Sequence, residues 1–423
     1  MKRKFYWRKL DDQAKLFALA ASNRYNSIFR LSVMLYEEID PDILQQALDS
    51  ALKVYPVFKV KMSTGLFWYY FENNRNKALV SQECSYPFAE IKEDKNDEYL
   101  FKVTYFNKKI NIDFEHSLTD GNGGKLFFEE IIYRYLSLKY PNELNAIKIN
   151  EESIVIESEN AYKKSYKKHV RKSDSSKKAY ILHGEQLTKG MVSINHFNID
   201  LEEIKSLSKH RKSTLSIYLL AMYIYSIYEE NYRIYKGKKP INVSVPVNLS
   251  KYVKVQTVSN FFSYIIVTLN FKKNMVYSFN KVLDMVKKEF DKKLKLDKIL
   301  GSIYSDAGSM NNIFIRIIPL FLKKLAVYLG STQVKRHFTT TFSNIGQIEV
   351  ESKYKKYIDN FFVILSPDWA EKIKCGVCSY KNNLVVTIST NLNDNSISDK
   401  FETLLKENNI SYTIERNGID VSS

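Results

Sequence analysis

The 423-residue chain has only three cysteines, Cys84, Cys375 and Cys378. That is too few for a disulfide framework at this size, and it points to a reducing compartment. A long apolar run is also missing. The most apolar window, Ile313 to Leu329, is broken by Arg316, Pro319, Lys323 and Lys324, so it is too short and too charged to span a bilayer and reads as an amphipathic or core helix. No apolar stretch of about 7–15 residues follows the basic start, so export by a signal peptide is not expected and a cytoplasmic setting is. Acidic residues are in deficit: 47 Asp plus Glu stand against 64 Lys plus Arg, a net charge of +17. The excess is local, because seven Lys and one Arg face the single acid Asp174 between Ala161 and Tyr180. What is present is an ordinary globular mixture, 44% hydrophobic and 26% charged, which excludes a disordered, collagenous or fibrous chain. The length exceeds the about 100–200 residues of a typical domain, so two domains or one large pseudo-symmetric body is expected.

Strand and helix periods alternate along the chain. Phe29, Leu31, Val33 and Leu35 share one strand face, with Arg30, Ser32 and Met34 on the other. Asp40 then caps a helix with Pro41 at its first position, and Leu44, Ala47, Leu48, Ala51, Leu52 and Tyr55 form its stripe. Strand-like segments follow at Gly65 to Phe71 and Leu100 to Tyr105, and Ile110, Ile112 and Phe114 form another strand row. The next helix carries Phe127, Ile131, Arg134, Tyr135 and Leu138. Element signals lapse from about Leu144 to Tyr180, which marks a linker or crossover. Beyond it, helices are expected at Leu201 to Lys209, Leu215 to Tyr235, Ser278 to Leu296 and Ser396 to Glu407. Strands are expected at Ile241 to Val247, Ser263 to Phe271, Phe338 to Phe342, Phe361 to Leu365, Lys374 to Tyr380 and Leu384 to Thr390.

The sharpest chemical feature is His116-Ser-Leu-Thr-Asp120-Gly121. By strand parity His116 continues the inward row of Ile110, Ile112 and Phe114, so an imidazole emerges at the end of an apolar face. Asp120 and Gly121 fall where the chain turns into the next helix, a turn that can hold the ring in one rotamer and tautomer. The competing reading is a core histidine satisfied by a neighbouring carbonyl. Two other motifs carry less. Cys375-Gly-Val-Cys378 has metal-ligand spacing but no second pair and lies in a predicted strand. Gly121-Asn-Gly-Gly124 opens a helix that could receive a phosphate, yet it lacks the lysine and spacing of a phosphate-binding loop.

The His116 segment resembles the HxxxDG motif of the CoA-dependent acyltransferase superfamily, which includes chloramphenicol acetyltransferase and the condensation domains of peptide synthetases. Trp7 to Asp11, Phe29 to Val33, Asp40 to Ala51, Pro56-Val-Phe58, Gly65 to Tyr70, Pro246 to Leu249, Asn260-Phe-Phe-Ser263 and Ser343-Asn-Ile-Gly346 are similar, in order, to segments of bacterial alcohol acetyltransferase-like proteins. Many members of the superfamily carry a second histidine where this chain has Glu115, which argues against a peptide-synthetase condensation domain more than against acyl transfer.

The resemblance implies two mixed α/β, chloramphenicol-acetyltransferase-like lobes with a tunnel between them. The corresponding division is 1–160 for the lobe bearing the motif, 161–190 for a basic crossover and 191–423 for the second lobe. It implies His116 as general base, Asp120 as an orienting group and Gly121 as the residue that keeps the turn clear. Thr341, Ser343, Asn344 and Asn260 are candidates for the oxyanion site or tunnel lining. No bound cofactor or metal is expected; acyl-CoA would be a co-substrate and a small alcohol or amine the acceptor. Two alternatives stay open, a stand-alone condensation-like enzyme drawing on an acyl carrier protein and a non-catalytic basic binding protein. The Lys163 to Lys178 run, with Lys167, Lys168 and Arg171, suits a CoA or carrier rim as well as a solvated linker, and nucleic acid is the less favoured partner. A monomer without a membrane span is expected.

Overall fold

A computed structural model describes residues 7–20, 27–88, 97–144, 178–248, 260, 262–293, 316–326 and 337–417. The first part of the chain forms β1 (Trp7–Lys9), α1 (Asp12–Ala20), β2 (Ile28–Leu35), α2 (Pro41–Val54), β3 (Val60–Thr64), β4 (Tyr69–Asn73), β5 (Val80–Gln82), β6 (Phe101–Phe106), β7 (Lys109–Glu115) and α3 (Gly121–Lys139). The second part forms β8 (Ser193–Asp200), α4 (Leu201–His210), α5 (Leu215–Ile227), β9 (Ile241–Asn248), β10 (Phe262–Leu269), α6 (Phe279–Lys293) and α7 (320–326). It continues with β11 (Thr340–Gln347), β12 (Ile358–Leu365), β13 (Ile373–Tyr380), β14 (Asn383–Thr390), α8 (Ser396–Glu407) and β15 (Tyr412–Arg416).

Local chemistry places the first-lobe elements. The Asp40 carboxylate accepts from the amides of Asp42 and Ile43 at 2.9 and 3.1 Å, satisfying donors that a helix start leaves open. Leu44, Ala47, Leu48, Ala51 and Leu52 then face inward along α2. In β2 the row Phe29, Leu31, Val33 and Leu35 is buried in the same core, and β2 pairs antiparallel with β7, Phe29 opposite Phe114 and Arg30 opposite Asp113. Leu138 departs from the expected stripe of α3 and is 44% exposed. Ser137 turns inward instead and meets the Tyr354 hydroxyl at 3.2 Å, so the neighbouring turn at Ser352–Tyr357 sets which side of that last turn is covered. The aromatic segment Gly65 to Phe71 is a hairpin rather than one strand: the Gly65 amide donates to the Trp68 carbonyl at 3.0 Å, and a Cβ at Gly65 would sit 2.8 Å from that oxygen. The helix expected from Leu215 to Tyr235 stops at Ile227 and continues as a π-helical turn over Tyr228–Tyr232.

Three sheets result. A five-stranded sheet has the order β12-β2-β7-β6-β5, a seven-stranded sheet β10-β9-β11-β13-β14-β8-β15, and a small sheet β1-β4-β3. β11 runs parallel to both β9 and β13, a crossover inside an otherwise antiparallel sheet. Two hydrophobic cores form, one among α2, α3 and the five-stranded sheet, the other among α5, α6, α8 and the seven-stranded sheet.

The lobes are joined by β12, which comes from the second part of the chain and pairs antiparallel with β2 at the edge of the first sheet. An edge strand presents unpaired carbonyls that must be covered. Here β13 and β14 cover them with side chains: the Cys378 thiol donates to Phe361 O at 3.3 Å and the Ser389 hydroxyl to Leu365 O at 2.5 Å. Between these, Gly376 lets the backbones close up, since a Cβ there would lie 2.3 Å from Val363 O. Gly376→Ala must therefore push the two sheets apart, and we expect a loss of about 3 kcal/mol of stability, read from urea unfolding.

This junction also decides the Cys-x-x-Cys segment. Cys375 belongs to the second core and Cys378 to the first, so the two thiols leave opposite faces of β13. Burial raises the Cys378 thiol pKa to about 12 and pushes that of Cys375 higher still. They are packing residues.

Candidate functional site

β7 delivers His116 to the place where the lobes meet. Its main-chain amide donates to Ser27 O at 3.0 Å, and its carbonyl accepts from Asn260 Nδ2 at 3.0 Å. Asn260 lies just before β10, so a side chain of the second lobe holds the backbone of the first. The imidazole stacks on Phe17 of α1, with ring centres 4.8 Å apart and planes at 15°. Phe29 lies 4.7 Å away on the strand side, and Phe262 of β10 lies 6.0 Å away across the junction.

This enclosure sets the ring's protonation. Burial lowers the His116 pKa from 6.5 to about 4, and the Lys374 ammonium pushes in the same direction. The Thr119 main chain favours the charged ring but is outweighed. The imidazole is thus neutral at pH 7 and able to accept a proton. His116 nonetheless keeps partial exposure, unlike the fully buried Phe114 before it.

Asp120 is a helix cap. Its Oδ1 accepts from the amides of Asn122 and Gly123 at 3.0 and 2.9 Å, which fixes the start of α3 five residues after His116. At Gly121 a Cβ would meet Ile345 at an ordinary 3.6 Å. The surroundings are tighter at Gly124, where a Cβ would press on the Phe114 ring at 3.1 Å and on the Phe29 ring at 3.2 Å, so that both rings would have to give by a few tenths of an ångström. Those two rings stack at 5.3 Å beneath the imidazole.

The other candidates separate. The Asn260 amide group is engaged, because Nδ2 also reaches Asp11 Oδ2 at 3.4 Å while the Asn260 main-chain amide donates to the same oxygen at 3.3 Å. Thr341 donates its hydroxyl to Glu371 at 2.5 Å. Asn344 donates to Ser216 at 2.9 Å and accepts from the Gly346 amide at 2.8 Å, shaping a turn in which Gly346 has φ +79°. Ser343 has no hydrogen-bond partner among the described residues. In register it lies opposite Gly376, one step along the sheet face from the Thr341–Lys374 pair. The tunnel implied by the resemblance is not outlined by the described residues alone, and Lys167, Lys168 and Arg171 lie outside them.

Three contributors were not singled out in the sequence. Phe17 belongs to α1 and Asp11 immediately precedes it, its Oδ1 accepting from the Ala14 amide at 2.7 Å. Asp11-Asp12-Gln-Ala14 is a readable cap, although nothing in it says what Phe17 would face. Burial raises the Asp11 pKa to about 6, against the hydrogen bonds from Ala14 and Asn260 and the charge of Arg8. Lys374 is visible only as one polar position in a strand; its Nζ lies 3.8 Å from Asp368. Among the described residues no group of three or more His, Cys, Asp or Glu could hold a metal, and no helix is long and apolar enough to cross a membrane.

No protein-family profile matches the chain, and no curated protein matches it at a significant level. Solved structures do match along nearly its whole length. The trichothecene 15-O-acetyltransferase of Fusarium sporotrichioides is 9% identical, with a TM-score of 0.63 over 95% of this chain and 96% of that one. Polyketide synthase associated protein 5 of Mycobacterium tuberculosis is 12% identical, with a TM-score of 0.62 over 95% and 97%. A starter condensation domain of rhizomide synthetase, a mutant in complex with C8-CoA and Leu-SNAC, is 11% identical, with a TM-score of 0.55 over 95% and 94%. With 94–97% of each of these chains matched, the chain has the two-lobed mixed α/β fold of CoA-dependent acyltransferases and condensation domains.

Proposed function

We propose that this protein is an acyltransferase that moves an acyl group, acetyl in the simplest case, from a CoA thioester to a hydroxyl acceptor, with His116 as general base. The observation that carries the reading is a neutral, aromatic-walled imidazole at the junction of two lobes of acyltransferase fold. The acceptor oxygen attacks the thioester carbonyl as its proton passes to the imidazole; the tetrahedral oxyanion collapses, the C–S bond breaks, and the thiolate leaves with that proton. No acyl-enzyme is required. Developing negative charge on the carbonyl oxygen needs a donor or cation nearby. Ser343, with its uncommitted hydroxyl, and Lys374, whose charge already acts on the ring, are the groups we assign. Asp120 and Asn260 hold the geometry instead of touching protons in transit.

The test is thiol release. The protein is mixed with acetyl-CoA or longer acyl-CoAs and a panel of alcohols and amines, in parallel with the same acyl groups on an acyl carrier protein. Acceptor-dependent thiol release from acyl-CoA supports the reading. Release only from the carrier-bound thioester would move the protein to the condensation-like alternative, and no release from any donor would refute acyl transfer.

A further inference from the structure

The hairpin turn between β3 and β4 and the helix α7 form one surface that the acyl-transfer reading does not use. Leu66 at the turn is 72% exposed and Phe321 on α7 is 69% exposed, and Phe67, Ile317, Leu322 and Leu325 are exposed beside them. The two segments are tied together. The Leu320 amide donates to Leu66 O at 2.9 Å, and Lys323 Nζ donates to Phe67 O at 2.8 Å while sitting 3.7 Å from the Trp68 ring centre. Residues 316–326 contain Arg316, Lys323 and Lys324 and no acid, with Arg316 and Lys324 exposed. Apolar patches of this kind mark a contact surface on a folded protein.

We infer that this patch docks the protein on an anionic membrane surface. A protein partner's apolar centre excludes charge, but here Lys324 stands in sequence between Phe321 and Leu325. Bulky apolar side chains interleaved with cations are what an interfacial segment requires: the apolar tips enter the acyl boundary while the cations stay among anionic headgroups. The patch and the site share helix α1. Lys15 Nζ lies 5.4 Å from the Trp68 ring centre, and two residues further along α1 Phe17 covers His116. A lipophilic acceptor dissolved in the bilayer would meet the active site along α1; that extension rests on the acyl-transfer reading, whereas the docking itself does not.

The experiment is co-sedimentation of the full chain with vesicles of phosphatidylcholine alone and of phosphatidylcholine mixed with phosphatidylglycerol. The wild type is expected to sediment with the mixed vesicles and far less with phosphatidylcholine. Phe321→Asp with Leu325→Asp removes two protruding apolar groups and should weaken binding by about tenfold or more. Lys324→Ala should weaken it about fivefold. Both variants change exposed positions, and their thermal unfolding should match the wild type. Failure of the wild type to sediment with the anionic vesicles overturns the inference, even if a carrier protein binds the same patch. Undiminished sedimentation of the Phe321→Asp, Leu325→Asp protein overturns it as well.

Discussion

Alanine at position 116 is expected to leave a folded protein that still binds its acyl donor and turns over about 10²–10⁴-fold more slowly, the usual worth of a general base. The fold survives because the contacts anchoring this corner are main-chain ones: the His116 amide to Ser27 and the His116 carbonyl to Asn260 do not involve the ring. The loss should fall on kcat, since the imidazole acts on the acceptor's proton and not on the bulk of the donor. Asp120→Ala should behave differently. It removes the acceptor that caps α3, so it should cost about 1 kcal/mol of stability together with activity, whereas asparagine retains an acceptor and should cost less of both. Steady-state kinetics beside thermal unfolding of the three variants separates the proton carrier from the turn that holds it.

The largest stability effect is expected at Asp113. Its carboxylate binds Arg30 through two bonds of 2.7 Å, and the third side of the guanidinium meets Glu83 at 2.5 Å. Burial alone would lower the Arg30 pKa, but the two carboxylates more than reverse this and hold the guanidinium charged. Asn111 joins the group through Glu83 at 3.0 Å and Ser32 at 2.6 Å. Removing Asp113, the more buried carboxylate, leaves the buried guanidinium with Glu83 alone and two of its donors without an acceptor. Asp113→Ala should therefore cost about 3 kcal/mol or more, measured as a lowered urea midpoint. Glu83, less buried than Asp113, should cost less when replaced by alanine.

Much of this architecture was legible because one face of an element met one core. The β2 row and the α2 stripe read directly, since each buries a single regular face. Where both faces are covered, the period disappears. β8 (SINHFNID) has buried residues on both sides, with His196 bonded to Thr387 at 2.8 Å and packed on Phe362 while Phe197 faces the second core. It therefore showed no alternation to find. β15 is short and mostly exposed, an edge strand whose identity depends on pairing with β8. The site divides in the same way. His116, Asp120 and the turn between them lie within a few residues of one another and could be read from spacing. Asn260, Phe262 and Lys374 reach His116 only through the docking of two lobes, and no local pattern encodes that. Spacing points to Gly121, and it does not show that the tighter packing is at Gly124, against the stacked Phe29 and Phe114 rings.

The pH dependence of acceptor-dependent thiol release, in the wild type and in His116→Ala, tests the central claim most directly. A general base works only unprotonated, and burial lowers the His116 pKa to about 4. Turnover should therefore hold from neutral pH down to about pH 5 and fall about tenfold per unit below the ring's pKa, and this acid limb should be missing from the residual activity of His116→Ala. An acid limb that persists unchanged without the imidazole, or full transfer by His116→Ala, would contradict the assignment of His116 as the base.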